Sequence, residues 1–372
     1  MKIKIIEVLK LFLKLLYFLF KLLPQKNRIV MLSRESDTPP VDFVLLEKEL
    51  NKQLPEYEVK VYCRLLSSKK VSVTGVALNA LKSMYLLATS VLCITDTYSL
   101  PVCVLKHKKG FKVIQIWHAL GGIKVSGYAS LDKSGGHSSK LAKALCMHKN
   151  YDYIFSPSDE TSELYRITFN CDKNSILKLG MPRVDYILND SELKKNSIER
   201  IKNLYPVLSN GKKNILYAPT FREEHGMDLS EILSVTDFSR YNLLVKIHDV
   251  DKYRDLPENV VNINEKIFDL FCFAEYIITD YSAAAIESSL SGKKLFFYVY
   301  DIDEYLKERG LFINPLSEYP SLSYKSYKDI YSVMESGNYD YSALNSFKTR
   351  FVETTGFNNT EKIVQKIQEI LQ

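Results

Sequence analysis

Residues Tyr276 to Tyr300 read as a short apolar strand, a polar turn, a helix of small residues closed by Gly292, and a second apolar strand. The first strand, Tyr276-Ile277-Ile278-Thr279, is β-branched and aromatic, as a strand buried in a parallel sheet should be. It runs into the helix-start cluster Asp280-Tyr281-Ser282. A strand feeding a helix points free backbone N–H groups beyond the sheet's carboxyl edge, and the helix dipole favours an anion there. Phosphate is the commonest guest at such an edge. Ala283, Ala284 and Ala285 keep the first turn slim for a close ligand. A plain cap on a core helix, made by Ser282 or Asp280, explains the same residues equally well.

The rest of the chain repeats this alternation. Arg28–Leu32, Glu58–Tyr62, Val91–Ile94 and Lys112–Trp117 read as strands, with helices over Phe43–Lys52 and Val71–Ala88 between them. A second series begins near Asn214, with strands at Ile215–Ala218, Leu243–Ile247, Val260–Asn262, Tyr276–Thr279 and Leu295–Tyr300. Strands separated by helices argue for parallel sheets, and two series in 372 residues imply an α/β protein of two doubly wound, Rossmann-like domains facing a cleft. The expected division is 1–23 for a leader helix, 24–189 for the first domain and 190–372 for the second. The final helix, Thr360 to Leu371, carries Ile363, Val364, Ile367 and Ile370 at helical spacing and reads as a packing element.

Charge becomes informative once it is located. The net formal charge is +6, and residues 1–28 hold seven basic side chains against Glu7 alone, so the leader accounts for the whole excess. No basic face remains for nucleic acid. In the leader, Glu7, Lys10, Lys14 and Lys21 fall within about 60° on a helical wheel, while leucines and phenylalanines cover most of the rest. Its longest apolar run, Leu15 to Phe20, is far short of the roughly 20 residues that cross a bilayer. The expected place is the interface, with lysines toward anionic head groups. Packing on the body's own core is the alternative. Six scattered cysteines without a CxxC pair suit a reducing compartment.

Trp117-His118 closes a strand ahead of Ala119-Leu120-Gly121-Gly122, so His118 should emerge at a carboxyl edge, where a histidine can take a proton near neutral pH. Lys246 and His248 share one face of the strand LLVKIHDV and suit a diphosphate, or else a solvated sheet edge. In Tyr217-Ala218-Pro219-Thr220-Phe221-Arg222 the strand ends on Thr220 and Arg222; Arg222 can bind phosphate or pair with Glu223 or Glu224. No HxxxH or HExxH spacing is present, and no metal site is expected.

Taken in order, these segments resemble the CDP-glycerol glycerophosphotransferase family of teichoic-acid and capsule biosynthesis. The matching residues are Trp117-His118 with Gly127, Ser156-Pro157-Ser158, Gly180-Met181-Pro182-Arg183-Val184-Asp185, Tyr217 to Arg222, Lys246-Ile247-His248, Ile278 to Ser282, and Phe297-Tyr298 with Asp301, Tyr305 and Arg309-Gly310. The resemblance implies a GT-B-like fold and a monotopic or peripheral enzyme on the cytoplasmic face of the cell membrane. It implies that the hydroxyl of a lipid-linked glycan or polymer attacks the glycerol-bearing phosphorus of CDP-glycerol and expels CMP. His118 and His248 would be catalytic, His118 as general base. Arg183, Asp185, Thr220, Arg222, Lys246, Thr279, Asp280, Tyr281, Ser282, Glu287 and Arg309 would bind substrate. No cofactor is required with certainty, and stimulation by a divalent cation is allowed. The expected partners are CDP-glycerol or a related CDP-alcohol, the lipid-linked acceptor and an anionic membrane surface.

Ala119-Leu120, Asp249 and Ala283 stand where members of that family often carry Gly-Thr, Pro and Ser. The transferred alcohol is therefore open, ribitol phosphate included. A GT-B glycosyltransferase using a sugar nucleotide and an inactive membrane-bound scaffold are the alternatives.

Overall fold

A computed structural model describes residues 2–66, 72–134, 136–189, 191–220, 228–247, 256–353 and 358–372. Among them twelve strands form two six-stranded sheets, and every pairing within them is parallel. The strands are β1 (Arg28–Ser33), β2 (Glu58–Cys63), β3 (Leu92–Thr95), β4 (Lys112–Gln115), β5 (Tyr153–Ser156), β6 (Ile176–Lys178), β7 (Lys213–Tyr217), β8 (Tyr241–Val245), β9 (Val260–Asn262), β10 (Tyr276–Thr279), β11 (Lys294–Tyr298) and β12 (Ser323–Tyr324). The first sheet runs β2-β1-β3-β4-β5-β6 and the second β12-β11-β10-β7-β8-β9. This is the expected α/β, GT-B-like architecture.

Burial follows the order of the strands. Every residue of the inner strands β1, β3, β8 and β10 is buried, as helices on both sheet faces require. Edge strand β2 instead exposes Glu58 and Lys60, charges that discourage further pairing. Chain order reverses between β1 and β3 in the first sheet and between β7 and β10 in the second. Ligands of open α/β sheets bind outside the carboxyl ends at such reversals.

The chain forms two compact units, one of residues 1–120, 126–185 and 353–372, the other of 121–125 and 186–352. The final helix, Asn359–Leu371, thus belongs with the first unit, whereas a linear division places it with the second. Its anchor is Asp185, whose carboxylate accepts from the backbone N–H of Asn359 at 3.0 Å and of Thr360 at 2.7 Å. Gly180 makes room for this seat. It has φ +87, and a Cβ there would lie 2.1 Å from Asn359 Oδ1.

The leader helix, Lys2–Phe20, packs on the first unit by a narrow line, Lys10, Leu13 and Tyr17. Tyr17 Oη lies 2.9 Å from His107 Nδ1. Because His107 Nε2 faces the Val102 carbonyl at 2.9 Å, which only accepts, Nδ1 is the unprotonated nitrogen and Tyr17 donates to it. The expected lysine stripe is corrected in part, since Lys10 is buried and paired with Glu7 at 3.0 Å. Helical geometry puts Val8, Leu11, Phe12, Leu15, Leu19 and Leu22 on the opposite side, and all are exposed.

Candidate active site

In the first unit the site is built around His118. β4 ends at Gln115, and the chain turns through Trp117 at φ 55, a left-handed conformation that costs a bulky residue strain. Aromatic contacts hold it there: the Trp117 ring lies 5.0 Å from Phe169 and 4.1 Å from His118. The His118 side chain is exposed, with Nδ1 3.1 Å from the Asp96 carbonyl oxygen. A carbonyl accepts only, so Nδ1 carries the proton and Nε2 keeps its lone pair. That is the tautomer a general base needs.

The backbone of His118 is held from behind. Arg183 Nη1 donates to the His118 carbonyl at 2.6 Å, and Arg183 Nε donates to Asp42 Oδ2 at 2.9 Å. Asp42 Oδ1 also accepts the Arg183 backbone N–H at 2.8 Å. Arg183 and Asp42 are 4% and 1% exposed, so this ion pair is out of reach of solvent. Expected as substrate ligands, Arg183 and Asp185 face inward in the structure, one bracing the histidine loop and the other seating the final helix. Asp42 and Asp96 were not expected at all. The Asp96 carboxyl is pushed up to about 7, chiefly by burial, with Glu35 and Asp42 adding and the Ser33 and Thr97 hydroxyls opposing.

His148 also escaped the sequence. It is 6% exposed at φ 53, 4.8 Å from the Phe169 ring and 5.8 Å from Trp117, with Nδ1 3.2 Å from Tyr151 Oη. Burial first, with smaller electrostatic contributions from the nearby His118 and Arg34, lowers its pKa to about 3. The unfolded chain binds the proton near 6.5, so the folded state loses stability as pH falls below that value. Between pH 7 and pH 5 the loss expected from this group is about 2 kcal/mol. His148→Phe, with Tyr98 and Tyr151 still packed around it, should show a shallower decline in urea-unfolding stability over that range. An unchanged slope would assign the acid sensitivity elsewhere.

In the second unit the reversal point between β7 and β10 is tied together by Asp280. Its carboxylate accepts the Thr220 backbone N–H at 2.9 Å and the Thr220 hydroxyl at 2.6 Å. Thr279 Oγ1 donates to the Ala218 carbonyl at 2.7 Å. Thr220, Thr279 and Asp280 are all buried, so these predicted ligands fix the shape of the edge. Tyr281 donates to Asp301 at 3.0 Å and stacks on Tyr305 at 4.0 Å. Ser282 Oγ accepts the Ala284 N–H at 3.2 Å in the turn ahead of the short helix Ala284–Ser289, and Glu287 is buried on that helix. Half-buried Lys246 follows β8 directly, and Arg309 ends the helix Ile302–Glu308. Arg222 and His248 lie outside the described residues.

The structure therefore brings Thr220, Thr279, Asp280, Tyr281 and Ser282 to one strand reversal, with Lys246 at the neighbouring exit. His118 and Arg183 come together in the first unit. Asp185 and Glu287 are buried within their units. The description that matches the sequence, over residues 15–369, is CDP-glycerol:poly(glycerophosphate) glycerophosphotransferase. The chain is 28% identical to the teichoic acid ribitol-phosphate primase of Bacillus spizizenii, over 94% of this chain and 93% of that one. It is 28% identical to the teichoic acid glycerol-phosphate primase of Bacillus subtilis, over 79% of this chain and 77% of the relative. The solved wall teichoic acid polymerase TagF superposes with a TM-score of 0.76 at 19% identity, covering 96% of this chain and 93% of that chain. With a match spanning nearly all of its length, the chain belongs to the CDP-glycerol:poly(glycerophosphate) glycerophosphotransferase family.

Proposed function

We propose that this enzyme transfers glycerol phosphate or ribitol phosphate from the corresponding CDP-alcohol to a hydroxyl of a lipid-linked acceptor, in teichoic acid or capsule synthesis. The observation that carries this reading is the hydrogen bond of His118 Nδ1 to the Asp96 carbonyl, which in the neutral ring leaves Nε2 as the basic nitrogen of an exposed histidine at a carboxyl sheet edge, in a chain of this family. In the reaction Nε2 takes the proton from the acceptor hydroxyl as its oxygen bonds to the phosphorus bearing the alcohol. The bond from that phosphorus to the bridging oxygen breaks, and CMP leaves with the electron pair. Lys246 and Ser282, with Arg222 and His248, are the groups assigned to the diphosphate, whose charge grows during departure.

Relatives named for ribitol phosphate and for glycerol phosphate support both alcohols, and a TagF variant was solved after soaking with CDPG. A panel of CDP-glycerol, CDP-ribitol and a UDP-sugar, each with and without lipid-linked acceptor, decides among them by nucleotide release. Acceptor-dependent CMP from one CDP-alcohol is the expected result. Release from the UDP-sugar alone would turn the reading toward a glycosyltransferase.

We further assign the enzyme to the cytoplasmic membrane surface through its leader. Among the described residues no helix is long and apolar enough to cross a membrane. The leader's outward side nevertheless exposes Leu11 at 60%, Leu15 at 62% and Leu22 at 71%. Each leucine moved from water into the acyl boundary contributes on the order of 1.5–3 kcal/mol. Leu11→Ser, Leu15→Ser and Leu22→Ser together should therefore lower sedimentation with anionic vesicles by more than tenfold, with little change in stability because these side chains are exposed. Undiminished sedimentation would remove the leader from this role.

A further inference from the structure

The reversal point between β1 and β3 opens into a cavity of about 300 Å³, lined from β1 by Ser33 and Arg34, from the exit of β3 by Thr97, Tyr98 and Ser99, and from the helix Val73–Thr89 by Val76, Asn79, Ala80 and Ser83. Most of the wall is apolar, with Leu32, Tyr62, Leu100 and Leu145 completing it. Arg34 is the one charged residue among the lining residues. Its Nη1 donates to the Tyr98 carbonyl at 3.2 Å and its guanidinium lies 5.7 Å from the Tyr98 ring centre, and among the described residues no carboxylate forms an ion pair with it. One donor of five is used, so the fork has capacity for an anion. A second cation, Lys82, lies 4.4 Å from the Tyr62 ring.

Two features say what such an anion is attached to. The helix Val73–Thr89 turns Asn79, Ala80 and Ser83 to the cavity and exposes Leu78, Leu81 and Tyr85 on its other side. Val76, at 45% exposure, lies on the cavity side, and on the other side Tyr85 meets Phe20 of the leader edge-on at 6.4 Å. One helix thus carries both a wall of the cavity and an exposed apolar face that reaches the leader. The cavity also adjoins the base: Asp96, whose carbonyl holds His118, directly precedes Thr97.

We propose that this cavity binds the lipid-phosphate portion of the acceptor, its phosphate on Arg34 and the first carbons of its hydrocarbon chain against Tyr62, Val76 and Leu100. The inference rests on the transferase reading for its biological meaning, but the site itself is a binding site for an apolar phosphate and is tested without any donor. A volume of about 300 Å³ admits a head and the start of a chain. The apolar wall contributes affinity, and the charge-assisted hydrogen bonds to Arg34 select the phosphate.

The test uses the full chain and farnesyl phosphate as probe, with binding read by calorimetry. Farnesol, inorganic phosphate and CMP serve as separate arms. Farnesyl phosphate should bind at least about tenfold more tightly than farnesol or inorganic phosphate, and Arg34→Gln should remove about tenfold of that affinity while Arg34→Lys retains part of it. Ala80→Trp, which fills the cavity, should abolish binding; Leu100→Asp is the second variant should Ala80→Trp fail to fold. Equal binding by wild type and Arg34→Gln, or displacement of the probe by CMP, overturns the assignment. So does failure of the wild type to bind the probe while it releases CMP from a CDP-alcohol. Binding of the probe by a protein that releases no CMP would leave the cavity assignment standing and sink the transferase reading instead.

Discussion

His118→Ala should lower acceptor-dependent CMP release by about 10²–10⁴-fold, the range that a positioned general base supplies. The expectation follows from one hydrogen bond. With Nδ1 donating to the Asp96 carbonyl, Nε2 is left with a lone pair and a fixed direction. His118→Asn sharpens the test, because its amide N–H₂ can still donate to that carbonyl but offers no base. Both variants should be equally poor if proton removal is the role of the ring, and Asn should be much better than Ala if the role is only to hold the loop. Neither should unfold the protein, since the His118 side chain is exposed and the buried contacts of the loop belong to Trp117 and to the backbone. Thermal unfolding within about 0.5 kcal/mol of wild type, alongside the lost rate, is the required pair of results. A His118→Ala variant that keeps more than a tenth of the rate would mean that the acceptor hydroxyl loses its proton elsewhere.

Where the sequence was explicit, it was so for a physical reason. The strand Tyr276–Thr279 is found at its expected bounds because an inner parallel strand is a continuous apolar run closed by polar turn residues. The exit of β4 was placed two residues late: the apolar run Lys112–Trp117 was read as strand to its end, whereas β4 stops at Gln115 and Trp117 turns into left-handed backbone. β5, β6 and β12 were not seen; β6, of three residues, and β12, of two, are edge strands too short to carry periodicity, and the four residues of inner β5 run straight into the polar Ser156-Pro157-Ser158. The direction of a side chain was the harder problem. Arg183 sits in a recognisable segment, yet its partner Asp42 is 141 residues away in sequence, and nothing local says that the guanidinium faces inward. Thr220 and Asp280 show the same limit: each could be assigned to a strand end, but not the hydrogen bonds that join them across 60 residues. His148 lies in the polar run Met147-His148-Lys149-Asn150, and its burial depends on left-handed backbone at Cys146, His148 and Asn150 that residue type does not announce. For the leader, the wheel separated apolar from polar sides without telling which line would pack, and the buried line carries Lys10 and Tyr17.

The Asp42–Arg183 pair should separate stability from catalysis. Removing one charge leaves the other buried without its partner, which costs on the order of 3–5 kcal/mol, so Asp42→Leu and Arg183→Met are each expected to be strongly destabilised. Joined in one chain, the two apolar residues leave no charge to desolvate, and most of that loss should be recovered despite the Arg183 N–H that loses its acceptor. Activity should not return with it. Arg183 also fixes the His118 carbonyl through a 2.6 Å hydrogen bond, and methionine cannot replace that donor. A loop released by as little as about 1 Å can cost about 10²-fold in rate when it carries the base. The double variant is therefore expected to unfold near the wild-type urea midpoint while kcat falls far more than KM rises, the split that a positioning residue produces and a substrate ligand does not. A raised KM at constant kcat would return Arg183 to the role of substrate ligand, and single variants within about 1 kcal/mol of wild type would show that the pair is not sealed from solvent.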